Sequence, residues 1–126
     1  MGCSRKGRRI LLAMADMHAG HKLGLLSPET VLVREADDGQ LEEWSPELGA
    51  TQKWLWECYK WCLAEAQALA RGDEIVVVHA GDVTQGDHHA GAMDGVTRED
   101  QREIARTNLL EVMRMPEVLS LRLTTG

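Results

Sequence analysis

Two short apolar runs organise the chain. Residues 9–15, RILLAMA, stop at the polar cluster DMHAGH, and residues 75–79, IVVVH, stop at AGDVTQGDHH. Runs of this length, partly β-branched and ended by turn residues, are how buried parallel strands are written. Between them Ser45-Pro46-Glu47 offers an N-cap, a proline at the first helical position and an early acid. A helix is therefore predicted from there to about Arg71, with Gly72 as its stop. Trp54, Cys58, Trp61, Cys62, Ala66 and Leu69 recur along it at three- and four-residue steps as an apolar stripe, which Trp56, Tyr59 and Leu63 widen. The tryptophans read as core packing against a sheet.

Strand, helix, strand in that order predicts a right-handed crossover between parallel neighbours, so both polar clusters fall at the same sheet edge. Thr97 with Asp100 forms a capping box for a second helix, which continues through Ile104, Leu109, Leu110 and Met113 to a stop at Met115-Pro116. Residues 118–125 are predicted as a third strand, in which Leu119, Leu121 and Leu123 alternate with Ser120, Arg122 and Thr124. From 19 to 44 the pattern breaks up. There the runs 30–33 and 40–44 flank Asp37-Asp38-Gly39, a hairpin signal, and mark an excursion from the core. The fold class expected is α/β, with parallel strands and crossover helices.

Composition narrows the picture. A length of 126 residues fits one domain, and 44% hydrophobic with 27% charged residues is a globular balance. No apolar run approaches the roughly 20 residues of a spanning helix, and the opening stretch lacks a secretory cleavage site. MGCSRK departs from a myristoylation signal at Lys6. A cytoplasmic protein without membrane attachment is expected. The formal net charge of −6 gives no footprint for a polyanion, and Arg5, Lys6, Arg8 and Arg9 read as a solvated basic tail. Cys3, Cys58 and Cys62 match neither a disulfide framework nor a zinc spacing.

The chemistry sits at the strand ends, where open α/β sheets place their ligands. Asp16 and His18 are two residues apart, so in an extended segment they point the same way and converge on one ion. Asp82, after Gly81, brings a carboxylate from the neighbouring strand end, and a carboxylate can bridge two metals about 3.5–4 Å apart. Gly81 lets the backbone pass close to the ions. An isolated Asp-x-His equally describes a capping Asp and a surface His. Two such clusters, each directly after a buried strand, favour a shared metal site. His21 and the pair His88-His89 lie just past the clusters, either as exposed loop residues or as contacts for a phosphate or proton donors, while His79 reads as a hydrogen-bonded core residue. Gln85 is a candidate for orienting substrate, with His88. No Gly-rich loop ending in Gly-Lys-Ser/Thr is present.

At Asp16-Met17-His18 and Gly81-Asp82 the sequence resembles the calcineurin-like metallophosphoesterase family, whose first motif is Asp-x-His and whose second is Gly-Asp. The wording ADMHAGHKLGL and HAGDVTQGDHH looks most like phage-borne or bacterial members. The resemblance implies the N-terminal half of a metallophosphoesterase sandwich, with Asp16 and His18 on a first metal and Asp82 bridging two. It implies hydrolysis of phosphate mono- or diesters by metal-activated water, with no side-chain nucleophile. A DNA nuclease is an alternative within that class, although the charge does not indicate nucleic acid.

The family's third motif, Gly-Asn-His and an acidic residue, would open at Gly126, and its two later histidine motifs are also absent. An N-terminal fragment or truncated product of a longer enzyme is expected, weak or inactive alone, with three ligands for the first metal and only the bridge for the second. Carboxylate and imidazole without thiolate suit manganese foremost, or iron, nickel, cobalt or zinc. The competing expectation is a non-catalytic binding or assembly module. It would form a homo-oligomer through an exposed sheet edge or the tryptophan-bearing helix.

Overall fold

The computed structural model describes residues 7–86 and 97–124. Three parallel strands, β1 (Arg9–Met14), β4 (Glu74–His79) and β5 (Val118–Leu123), form one sheet in the order β1-β4-β5. A two-stranded antiparallel hairpin, β2 (Leu32–Glu35) with β3 (Leu41–Trp44), lies outside it, and α1 (Ala50–Ala70) and α2 (Arg98–Met113) make the crossovers. β1 and β4 run in register from Arg9 opposite Glu74 to Met14 opposite His79, so both strands end level. The architecture is mixed α/β with the parallel sheet that the pattern predicts.

Both crossovers use one face of the sheet. Leu63 and Ala70 of α1 and Val112 of α2 pack on Ile75, Val77 and Val118, with Ile10, Leu12, Met14 and Leu121 against them. Burying alternate residues of each strand is what pays for ordering the two helices. Here the structure corrects the reading of β1 as a fully buried strand. Its residues alternate between exposed and half-buried, and Leu11 and Leu119 on the other face are 67% and 69% exposed. The alternation expected for β5 is broken by an irregularity in its pairing with β4, which sets Val118 opposite Ile75 but Ser120 opposite Val76.

Two boundaries and one helix face also differ. α1 starts at Ala50, because the cap is Gly49, whose backbone N–H donates to the Gln52 side chain at 3.2 Å, and Ser45-Pro46-Glu47 precede it as loop. It stops as predicted, at Arg71 and Gly72, both at positive φ. Its buried face is Gln52, Trp56, Leu63, Ala66 and Ala70 with half-buried Tyr59, whereas Trp54, Trp61 and Leu69 of the expected stripe are each about two-thirds exposed. Both sets have helical spacing; the sheet decides between them. α2 follows its signals closely: Thr97 accepts from the Asp100 N–H at 3.1 Å and the Asp100 carboxylate accepts from the Thr97 N–H at 2.9 Å.

The hairpin turns at Asp37-Asp38-Gly39, where the Gly39 N–H donates to the Ala36 carbonyl at 2.8 Å. Leu32 anchors it in a second apolar cluster with Ala19, Leu26, Ile104 and Ala105. Arg8 and Arg9 are ion-paired with Asp73 and Glu74, so these two belong to the sheet edge and not to a free tail; Arg5 and Lys6 lie outside the described residues. Among the described residues, no helix is long and apolar enough to cross a membrane.

Candidate metal centre

The parallel ladder does not stop where the strands do. The Ala80 N–H donates to Met14 O, Asp16 N–H to Gly81 O, His18 N–H to Asp82 O, Ala19 N–H to Val83 O and Gln85 N–H to Ala19 O, all at 2.8–3.1 Å. The two post-strand loops are thereby laced together residue by residue. To keep this lacing while turning their side chains outward, Asp16, His18 and Asp82 adopt φ values of 59°, 46° and 53°. Left-handed backbone is uncommon outside glycine, and its clustering is a mark of functional sites. Gly81, at φ 120°, takes a conformation that side chains rarely adopt, so its glycine is needed for backbone shape before any close approach to an ion.

The result is convergence. One ligand atom each from Asp16, His18 and Asp82 lies within 4.8 Å of the others, with both aspartates exposed and His18 half-buried. The His18 Nδ1 is 3.0 Å from Gln85 Oε1, an acceptor, so in the neutral ring this contact puts the proton on Nδ1 and leaves Nε2, 3.4 Å from Asp16 Oδ1, as the nitrogen that could ligate an ion. Fixing the far nitrogen of an imidazole in this way is the usual support of a metal-ligating histidine. Two carboxylates and one oriented imidazole therefore fit a divalent cation in both donor type and tautomer.

Gln85, expected to orient substrate, lines the cleft beside the cluster and has its Oε1 on the imidazole. Gln85→Leu should weaken manganese binding about 10–100-fold, the usual effect of losing such a partner, without unfolding the chain. Titration calorimetry on the variant checks this; unchanged affinity would show that the His18 tautomer does not matter.

Other sequence candidates fall differently. His21 takes the Leu23 N–H at its Nδ1, at 2.9 Å, and lines the cleft beside the cluster. His88 and His89 lie outside the described residues. His79 is fully buried, as expected of a core residue, with Nδ1 accepting the Gly81 N–H at 3.3 Å and Nε2 without a hydrogen-bond partner.

Burial holds the His79 imidazole below its ordinary value, against the opposing pull of the Asp16 and Asp82 charges. The unfolded chain thus takes up this proton before the folded one does. Stability is full above the ordinary histidine value of about 6.5 and declines as pH falls from there towards the folded value. In metal-free protein, the melting temperature should drop between pH 7.5 and 5.5, and the drop should shrink in His79→Gln. An equal drop in both proteins would assign the effect to other groups.

Three further residues position the site without advertising themselves in sequence. Buried Gln101 of α2 holds Gly86 by both sides of its amide, accepting from the N–H at 2.9 Å and donating to the carbonyl at 3.2 Å. Buried Asn108, two turns on, accepts from Ser27 N–H at 3.0 Å and donates to Leu25 O at 2.8 Å. One helix thereby ties both loops. Gly24 lies directly against the carbonyl of His18 and donates its N–H to His21 O at 2.8 Å.

Compared with protein-family models, curated proteins and solved structures, the chain matches none.

Proposed function

We propose that this chain is a metal-dependent phosphoesterase domain of the calcineurin-like type, acting on phosphate mono- or diesters. The observation that carries the reading is the convergence of Asp16, His18 and Asp82 from two adjacent strand ends, each on left-handed backbone. A divalent ion, manganese foremost, would supply Lewis acidity and an activated water when bound there.

The chain's own residues supply the rest. Asp16 and Asp82 offer anionic oxygens, and Gln85 keeps the His18 proton away from the ligating nitrogen. With Nδ1 taken by the Leu23 N–H, His21 carries its proton on Nε2 and offers that N–H as a hydrogen bond to a phosphate oxygen. Exposure of the cluster leaves room for water and ester together. Calorimetry with manganese, paired with turnover of a bis-aryl phosphate, tests the reading. Uptake of about one ion per chain with manganese-dependent hydrolysis supports it; a folded chain that takes up no ion overturns it.

One observation favours a second reading, an assembly module. Trp54, Trp61 and Leu69 on one side of α1, and Leu11 and Leu119 on the sheet face away from the helices, are each about two-thirds exposed, and large apolar side chains in water are what an assembly surface uses. Sedimentation at several concentrations separates the two: a stable oligomer without metal uptake favours assembly, and a monomer with metal uptake favours the phosphoesterase.

A further inference from the structure

The metal cluster opens onto a cleft of about 600 Å³, within the size range of small-molecule sites, that runs from the cluster along α1. Asp16, His18, His21 and Gln85 form its polar end. Its other walls are Met17, Leu23, Leu25, Leu55, Tyr59 and the two thiols Cys58 and Cys62. We infer that this cleft seats the organic part of the substrate, and that the substrate is a phosphate ester of an apolar, ring-sized alcohol and not of a sugar or nucleoside. The inference rests on the phosphoesterase reading and adds the substrate class to it.

Few hydrogen-bonding groups in the cleft are free. His18 Nδ1 and Gln85 Oε1 satisfy each other, and His21 Nδ1 is taken by the Leu23 N–H. Tyr59 presents only its ring, because its hydroxyl donates to Asn108 O at 3.0 Å. Burial first, and the Glu111 carboxylate second, push that phenol above its ordinary value, so it is no proton source near neutrality. Trp56, with its ring centroid 5.4 Å from that of Tyr59, fixes the ring as a rigid wall.

Beyond the cluster, the His21 proton and the Gln85 amide N–H donors, all at the polar end, the described side chains along the rest of the cleft offer no spare polar partner except thiols, which are weak ones. A hydroxylated leaving group would lose its water bonds there without replacement, whereas an aryl or branched alkyl group would lose nothing and shed apolar surface. The polar end and the apolar length of the cleft describe one amphipathic molecule, an anionic head on an oily body.

Phosphonates test this without turnover, since their P–C bond is not hydrolysed. Calorimetry on the manganese-loaded chain compares methylphosphonate with 1-naphthylmethylphosphonate, in the parent and in Leu55→Asp, with Cys62→Asp as a second wall variant should the first not fold. The naphthyl ligand should bind about 10–100-fold tighter, in the range that apolar pockets discriminate, and the wall charge should erase that ratio. It should also slow modification of Cys58 and Cys62 by a small maleimide, followed by mass spectrometry, whereas methylphosphonate should not. Equal affinity for the two ligands overturns the pocket and leaves the phosphoesterase reading standing. So does a ratio that survives the wall charge, which would place the naphthyl group elsewhere. Absence of manganese uptake overturns both together.

Discussion

Replacing Asp82 by Asn should abolish most manganese binding while leaving the metal-free chain as stable as the parent or slightly more so. Asparagine keeps the shape of the side chain and tolerates the left-handed backbone that position 82 requires, so the fold has no reason to suffer. What disappears is one negative charge facing Asp16, with ligand atoms of the two residues within 4.8 Å. Like charges this close repel, and relieving them favours the metal-free fold. With a divalent ion the sign reverses. Losing the contact partner of a ligand already weakens binding 10–100-fold, and losing an anionic ligand itself should do more than that. Melting curves with and without manganese read both effects at once. A ligand at 100 times its dissociation constant stabilises the folded state by about 2.7 kcal/mol, and in Asp82→Asn that gain should all but vanish. Asp82→Ala should lose it as well, from a lower starting stability, because alanine fits the left-handed region less well. A parent-like manganese shift in both variants would remove Asp82 from the site.

Asp82 and its neighbours stand out in the sequence for a local reason. The strands, the Thr97-Asp100 box and the Asp-Asp-Gly turn are written by neighbours a few residues apart, and the two polar clusters are placed by the crossover rule alone. Along α1, local pattern fails. Two apolar stripes of equally good period compete there, and the one that includes Leu63 and Ala70, which pack with Ile75 and Val77, is the one buried, together with Trp56. The exposed stripe then becomes available for other uses, and the cleft borrows Cys58, Cys62 and Leu55 from between the two.

Gln101 and Asn108 were illegible for a related reason. A buried amide is meaningful only when its partners are known, and these partners lie 15 and more than 80 residues away in sequence. Polar groups enclosed this way specify one arrangement of the loops they hold, since any other leaves donors and acceptors unpaired. The two loops of the candidate site are thus tied from α2, an element that contributes none of its three candidate ligands.

Gly24→Ala should damage the site from further away still. Position 24 lies outside the Asp-x-His motif, but a Cβ there would lie against the His18 backbone. A methyl group there would overlap the His18 carbonyl oxygen and stand 3.0 Å from its carbon and 3.1 Å from the His21 oxygen. All three are backbone atoms, so no side chain can rotate out of the way. On the near side Gly24 is itself held, by Gln52 donating to its carbonyl at 3.3 Å and by its own N–H on His21. The turn must therefore open. Overpacking costs about 1–3 kcal/mol in side-chain cores, and a clash between two pinned backbone segments belongs at the upper end, lowering the melting temperature of a domain this size by roughly 10 °C. Opening the turn also moves His18 off the left-handed geometry that aims Nε2 at the aspartates, so manganese affinity should fall along with stability. Gly7→Ala, where nothing lies within 4 Å, is the matched control and should change neither. A Gly24→Ala protein that melts and binds manganese like the parent would mean the His18 loop adjusts freely, and that its left-handed backbone is not what holds the imidazole in place.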